Sequence, residues 1–261
     1  MNTSATVIAI ANQKGGVGKT TTANALATGL KKRGFQVLAI DFDPQGNLST
    51  SVRAVNDGTA PTIVEVLKAE VDINDAIQHL NDFDIIPSNI LLAGYETYLI
   101  SAVCREHKLR NALLPITNEY DYIIIDTAPS LSCLTINALV AANEVIVPIF
   151  PSKYAVDGME QFIDTVDQLR ELANPNLKIS GVLLENFDIR RTVDKILRKS
   201  LHTMANLHTF NTCIRVSSHV GKSQVKQINI YDYDKSAENH AAPDFNCFID
   251  EYLNMKEELK Y

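Results

Sequence analysis

The sequence predicts an α/β fold: a mostly parallel, twisted sheet with helices on both faces, organised as one domain over residues 1–261. Three observations predict it. Strand-like and helix-like segments alternate along the chain, as in βα repeats. Several strand segments are unbroken apolar runs, the pattern of strands buried on both faces. No repeat, low-complexity tract or Pro/Gly-rich linker divides the chain. The composition, 46% hydrophobic and 21% charged, excludes collagen, coiled coil and wholesale disorder.

The segments follow in order. Val7 to Ala11 is a short apolar strand that runs into the loop Asn12-Gln13-Lys14-Gly15-Gly16. Thr20 to Lys32 has helical composition and stops at Gly34. Gln36 to Ile40 is the second strand and ends at Asp41. Pro61 to Glu70 reads as a helix, with Thr59 as its cap before the proline. Phe83 to Ile86 is a strand stopped by Pro87, and Ile90 to Asn118 is mostly helical. Tyr122 to Ile125 is an all-apolar strand ending at Asp126. Leu131 to Ala142 is a helix, Glu144 to Ile149 a strand, Ala155 to Ala173 a helix, Ile179 to Leu184 a strand and Arg190 to Met204 a helix. The pattern then weakens until a last helix, Asp244 to Leu259. Lys14–Thr20, Asp41–Asp43 and Asp126 all follow strands, at the end of a parallel sheet where ligands bind.

The string Lys14-Gly15-Gly16-Val17-Gly18-Lys19-Thr20-Thr21 lies between a strand and a helix, which is the context of a phosphate-binding loop. Glycines let the backbone curl so that successive N–H groups face phosphate oxygens, and the helix N-terminus adds partial positive charge. In this reading Lys19 bridges the β- and γ-phosphates and the Thr20 hydroxyl ligates Mg²⁺. Gln13 stands where the first glycine of Gly-x-x-x-x-Gly-Lys is expected, and the extra lysine Lys14 precedes Gly15-Gly16.

This loop resembles the deviant Walker A motif of the ParA/MinD family of P-loop ATPases, and the resemblance extends over roughly Val7 to Leu201. It implies a P-loop NTPase fold, ATP and Mg²⁺ as cofactors, weak basal ATPase activity and an ATP-dependent homodimer. Within that dimer Lys14 reaches the partner's phosphates. Asp41-Phe42-Asp43-Pro44-Gln45-Gly46-Asn47 resembles the family's switch I in its ParA form. Asp43 matches the acid that positions the attacking water, and Asp41 an acid near the Mg²⁺ shell. Ile123-Ile124-Ile125-Asp126-Thr127-Ala128-Pro129 resembles a Walker B strand, with Asp126 holding Mg²⁺ through water and Ala128 in place of a proline. Lys153 departs from the family pattern.

Charge is uneven. Residues 178–226 hold nine Lys/Arg against three Asp/Glu, in a chain of net charge −7. From pattern alone this segment is either a polyanion-binding surface or a solvated basic helix. The family resemblance favours the first. Arg190 is similar in place to an arginine used on DNA, Arg191, Lys195 and Lys199 follow at helical spacing, and Arg215 resembles a second DNA-contacting arginine. The resemblance therefore implies sequence-independent, salt-sensitive DNA binding. It also implies a ParB-like centromere-binding activator, and a cytoplasmic, nucleoid-associated protein that partitions DNA. The loop starts within fifteen residues of Met1, so the expectation is a short ParA without an N-terminal helix-turn-helix domain. An alternative within the same superfamily is an ATP-gated switch for replication control, or for positioning a membrane or polar complex.

Other classes fit less well. Cys104, Cys133, Cys213 and Cys247 form no C-x-x-C pair, which argues against a disulfide scaffold or zinc ribbon. Cys104 lacks the glycine-rich context of a cluster-binding cysteine, so an iron–sulfur role is not expected. Met1 to Ala11 lacks the basic, apolar build of a signal sequence. The C-terminal run Glu251 to Tyr261 alternates in sign, so no stable membrane anchor is expected. Asn186, just after a strand, is either an adenine contact or an ordinary loop asparagine.

Overall fold

A computed structural model describes residues 4–152, 155–204, 207–234 and 239–258. Among them, eight strands form one sheet in the order β3-β4-β2-β5-β1-β6-β7-β8. The strands are β1 (Thr6–Ile10), β2 (Val37–Phe42), β3 (Gln78–His79), β4 (Asp84–Ile86), β5 (Tyr122–Thr127), β6 (Glu144–Ile149), β7 (Lys178–Phe187) and β8 (Thr209–Arg215). All neighbours are parallel except the edge pair β3–β4.

The apolar runs are continuous because both faces of the sheet are covered. Successive residues alternate between two cores, as strand geometry requires. Val7, Ala9, Ile123, Ile125, Val145 and Val147 face one core; Ile8, Ile10, Ile124 and Ile146 face the other. On the first side lie α3 (Ile63–Leu67), α4 (Leu91–Leu99), α5 (Lys108–Leu113), α6 (Cys133–Ala141), α7 (Ala155–Leu172) and α8 (Thr192–Thr203). On the second lie α1 (Lys19–Lys32), α10 (Ile230–Tyr233) and α11 (Ala241–Glu258). The short helices α2 (Asn47–Ser51) and α9 (Ser218–Lys226) flank the carboxyl ends of the strands. Gly29 lets α1 and α11 meet. A Cβ there would fall 2.2 Å from Ile249 Cδ1 and 2.7 Å from the Tyr231 hydroxyl.

Several expectations are corrected. The helix expected over Ile90–Asn118 is broken after α4, where Cys104 takes a left-handed φ of 51°, and Pro115 opens a short 3₁₀ turn at its end. Thr62, not Thr59, caps α3. Its side chain accepts from the Val64 N–H while Glu65 accepts the Thr62 N–H at 2.8 Å, a reciprocal capping box. β7 runs three residues past Leu184. β8, α9 and α10 lie in the stretch where the sequence pattern weakened. The last helix starts at Ala241, and Leu259 and Lys153 lie outside the described residues.

β8 gives no period-two signal because its burial does not alternate along Thr209–Arg215; it is a polar edge strand, and side chains of α11 take several of its N–H groups. Glu251 accepts from the Asn211 and Thr212 N–H groups at 2.6 and 2.9 Å, and Asp244 from that of Arg215 at 2.9 Å. Carboxylates covering an edge in this way block pairing with another chain.

Candidate nucleotide site

The carboxyl ends of β1, β2, β5, β7 and β8 surround a cleft of about 480 Å³. The loop between β1 and α1 forms its floor. Gly16 and Gly18 take φ of 69° and 94°, which side-chain-bearing residues rarely adopt, and Gly18 caps α1. Asn12 anchors the loop. Its Oδ1 accepts the Lys14 N–H at 2.9 Å, and its Nδ2 donates to the Pro148 carbonyl of β6 at 2.7 Å.

The Lys19 ammonium donates to the Lys14 carbonyl at 2.9 Å, so the side chain arches over the loop. Burial lowers its pKa, and Asp126 and Asp43 oppose that shift. Thr20, Thr21 and Asp43 also line the cleft. Asp43 is 6% exposed, and its Oδ1 accepts the Gln45 N–H at 3.0 Å.

Asp41 and Asp126 are register partners on β2 and β5, and both are fully buried. Their environments differ. Asp41 accepts from the Ser49 N–H and hydroxyl at 2.8 and 2.7 Å and from the Asp43 N–H at 3.2 Å. Burial nevertheless pushes its carboxyl up to about 6. Neither oxygen of Asp126 has a hydrogen-bond partner among the described residues. Burial first, and then the charge of Asp41, push Asp126 well above the ordinary carboxylate range, against the neighbouring Thr20 hydroxyl and Lys19. A buried acid without a partner needs an explanation. The waters of a hydrated Mg²⁺ ion, which keeps most of its waters, would satisfy it. Asp41, whose oxygens are already engaged, pins the Asp43 backbone and Ser49.

Lys14 lies in an adjacent recess with Phe150, Gly158 and Phe162. A Cβ on Gly158 of α7 would sit 3.4 Å from Lys14 Cε and 3.6 Å from Nζ. Gln13 donates to the Gly158 carbonyl at 3.2 Å, tying this part of the loop to α7.

The five cations expected to bind DNA are split. Arg190, Arg191, Lys195 and Lys199 are exposed at and after the β7–α8 turn. Arg190 forms a two-bond pair with Asp188, both at 3.0 Å, and Arg191 lies 3.8 Å from the same carboxylate. These arginines hold Asp188 down at about 2. Arg215 instead lines the cleft, and its guanidinium grips Asp244 of α11, with Nη2 2.6 Å from Oδ1 and Nε 2.9 Å from Oδ2.

Sequence reasoning missed the far wall, made by Glu185, Ser217, Val220, Gly221 and Gln224. Glu185 carried one signal, an acid ending the run Val182-Leu183-Leu184. The α9 residues carried none. Asn186, a candidate adenine contact, does line the cleft, with φ 55°.

Residues 5–179 match the family model described as an AAA domain. The chain is 42% identical over 189 residues to the chromosome partitioning protein ParA of Myxococcus xanthus, spanning 72% of this chain and 67% of that one. The chain belongs to the ParA/MinD family of P-loop ATPases. Its fold is that of the family. Cobyrinic acid a,c-diamide synthase from Mycobacterium smegmatis, solved with ADP and magnesium, superposes with a TM-score of 0.85 at 32% identity over 97% of this chain and 96% of that one. A plasmid partition protein of Borrelia burgdorferi bound to AMPPNP gives 0.81 at 27% identity over 96% and 99%. No helix among the described residues is long and apolar enough to cross a membrane.

Proposed function

We propose that this family member is a DNA-partitioning ATPase. Its cleft takes ATP with Mg²⁺, two copies close face to face on the nucleotides, the dimer binds DNA without sequence preference, and a ParB-like partner stimulates hydrolysis. The observation that carries the reading is the unpartnered Asp126 carboxyl facing Lys19 and Thr20 at the phosphate loop. The loop N–H groups and the Lys19 ammonium receive the phosphates. Thr20 and, through water, Asp126 would hold the cation, which would supply positive charge to offset that of the phosphates. Asp43 orients the attacking water, and Asp41 keeps Asp43 in place through its N–H. Lys14 supplies a cation to the partner's site, so turnover waits on dimerisation. Arg190, Arg191, Lys195 and Lys199 meet DNA phosphates.

The test is DNA binding with ADP, ATP and a slowly hydrolysed analogue, each at two salt concentrations. ATP and the analogue should promote salt-sensitive binding and ADP should not. Equal binding in all three states refutes the gating. A second reading, an ATP-gated switch that positions a membrane or polar complex, draws on Ile189, Val193 and Ile196, which lie exposed among the α8 cations. ATP-dependent co-sedimentation with anionic vesicles, without DNA binding, would favour it.

A further inference from the structure

Glu185 has no task in the mechanism above, yet its surroundings are specific. It sits near the carboxyl end of β7, is 4% exposed, and accepts from the Thr22 hydroxyl of α1 at 2.6 Å. Its carboxyl lies directly behind the phosphate loop. A Cβ on Gly18 would fall 3.0 Å from Glu185 Cδ and 3.3 Å from Oε1. The left-handed residue that opens α1 therefore rests on an acid. The charged and titratable groups around it are Lys19 on α1, Arg215 on β8 and Asp244 on α11; β6 runs out there into the apolar Ile149 and Phe150. Arg215 is committed to Asp244, and no cation forms an ion pair with Glu185 among the described residues.

We propose that Glu185 is a positioning residue for the phosphate loop that works as a neutral carboxylic acid. Protonated, it props Gly18 without placing charge behind the loop; ionised, it sets a negative charge behind the N–H groups that must receive phosphate, and nucleotide is lost. This rests on the nucleotide reading given above. Burial, together with the charge of Asp244, pushes the Glu185 carboxyl up to about 8 against the Thr22 hydrogen bond. The acid form, which accepts nucleotide, therefore predominates below about pH 8 and is lost as pH rises through that value. By linkage, bound phosphate holds the proton in place.

The experiment is titration of the whole chain with a fluorescent ADP analogue and Mg²⁺ from pH 6.5 to 9.5. Affinity should fall by up to about thirty-fold, since each unit above the carboxyl's midpoint costs tenfold. In Glu185→Gln the fall should shrink to what Lys19 deprotonation alone produces. A fall below about fivefold in the unmodified protein, or an equal fall in both proteins, overturns the inference. Should the Gln variant not fold, Thr22→Val decides the matter. Loss of the hydroxyl that favours the charged form moves the midpoint to higher pH, and an unmoved midpoint overturns the inference. No binding of the analogue at pH 6.5 refutes the nucleotide reading itself, and this inference with it.

Discussion

Asp126→Ala should make the ligand-free protein more stable while weakening its response to Mg²⁺. The side chain is fully buried on β5, neither oxygen is hydrogen-bonded among the described residues, and Asp41 lies in register beside it. An unsatisfied buried polar group costs about 1–3 kcal/mol. Truncation to Ala forfeits only the few atoms beyond Cβ, about 1 kcal/mol of packing. The balance favours the variant by about 1 kcal/mol, which for a chain of this size raises Tm by about 2–4 °C. Thermal unfolding of both proteins, with and without a slowly hydrolysed ATP analogue and Mg²⁺, measures this. The unmodified protein should gain about 2.7 kcal/mol of apparent stability at a hundredfold excess of ligand over Kd. The variant should gain less from added Mg²⁺ than the unmodified protein does, Thr20 and the phosphates alone being left to hold the cation. A ligand-free Tm several degrees below the unmodified protein's would mean that the carboxyl is satisfied, and would refute the argument from an unpaired acid.

Three further outcomes are expected. Asp43→Ala should slow single-turnover hydrolysis about a hundredfold or more while ATP still binds; unchanged turnover would remove Asp43 as the water-positioning acid. Thr62→Ala, which breaks the capping box of α3, should cost about 1 kcal/mol in denaturant unfolding with the m-value unchanged. The Asp41 carboxyl is raised to about 6 in the folded chain, so the stability it contributes is full below about pH 4 and is lost as pH rises through about 6. The stability difference between the unmodified protein and Asp41→Asn should therefore change over that window, and a flat difference would place the Asp41 pKa near that of the unfolded chain.

The sequence displayed what is local. Ile123-Ile124-Ile125 announces a strand buried on both faces, and Gly16, Gly18 and Lys19 announce a loop whose backbone must turn left-handed. Each of these follows from a few adjacent residues. β8 is different. Its burial does not alternate, and the N–H groups of Asn211, Thr212 and Arg215 are met by Glu251 and Asp244, some thirty to forty residues later in the chain. The same holds for the far wall of the cleft. Gln224 belongs to it only because α9 folds back to donate to the Thr21 hydroxyl at 2.8 Å, across 203 residues of sequence. Arg215 adds a contact that charge along the chain does not show: its guanidinium pairs with Asp244 of α11 and it lines the nucleotide cleft.

That division sets how strongly salt should act on the proposed DNA binding. Each protomer presents Arg190, Arg191, Lys195 and Lys199 outside the cleft. The Asp188 carboxylate already occupies the fork of Arg190, so about one phosphate contact is forfeited to an internal partner. About three contacts per protomer remain, and about six in a dimer. With a slope near −0.9 per neutralised phosphate, log K against log salt should run near −5 for the ATP-bound dimer and near −3 for a single protomer. Those slopes separate the protomers thermodynamically: a doubling of salt weakens the dimer about thirty-fold and the monomer about eight-fold. If Arg215 left Asp244 to meet DNA, it would add a contact per protomer and steepen the dimer slope by about two, and Arg215→Ala would restore it. A slope of −5 unchanged by that substitution, together with weakened nucleotide binding, places Arg215 with the cleft. A slope near −7 in the unmodified protein that falls to about −5 in Arg215→Ala places it on the DNA surface instead.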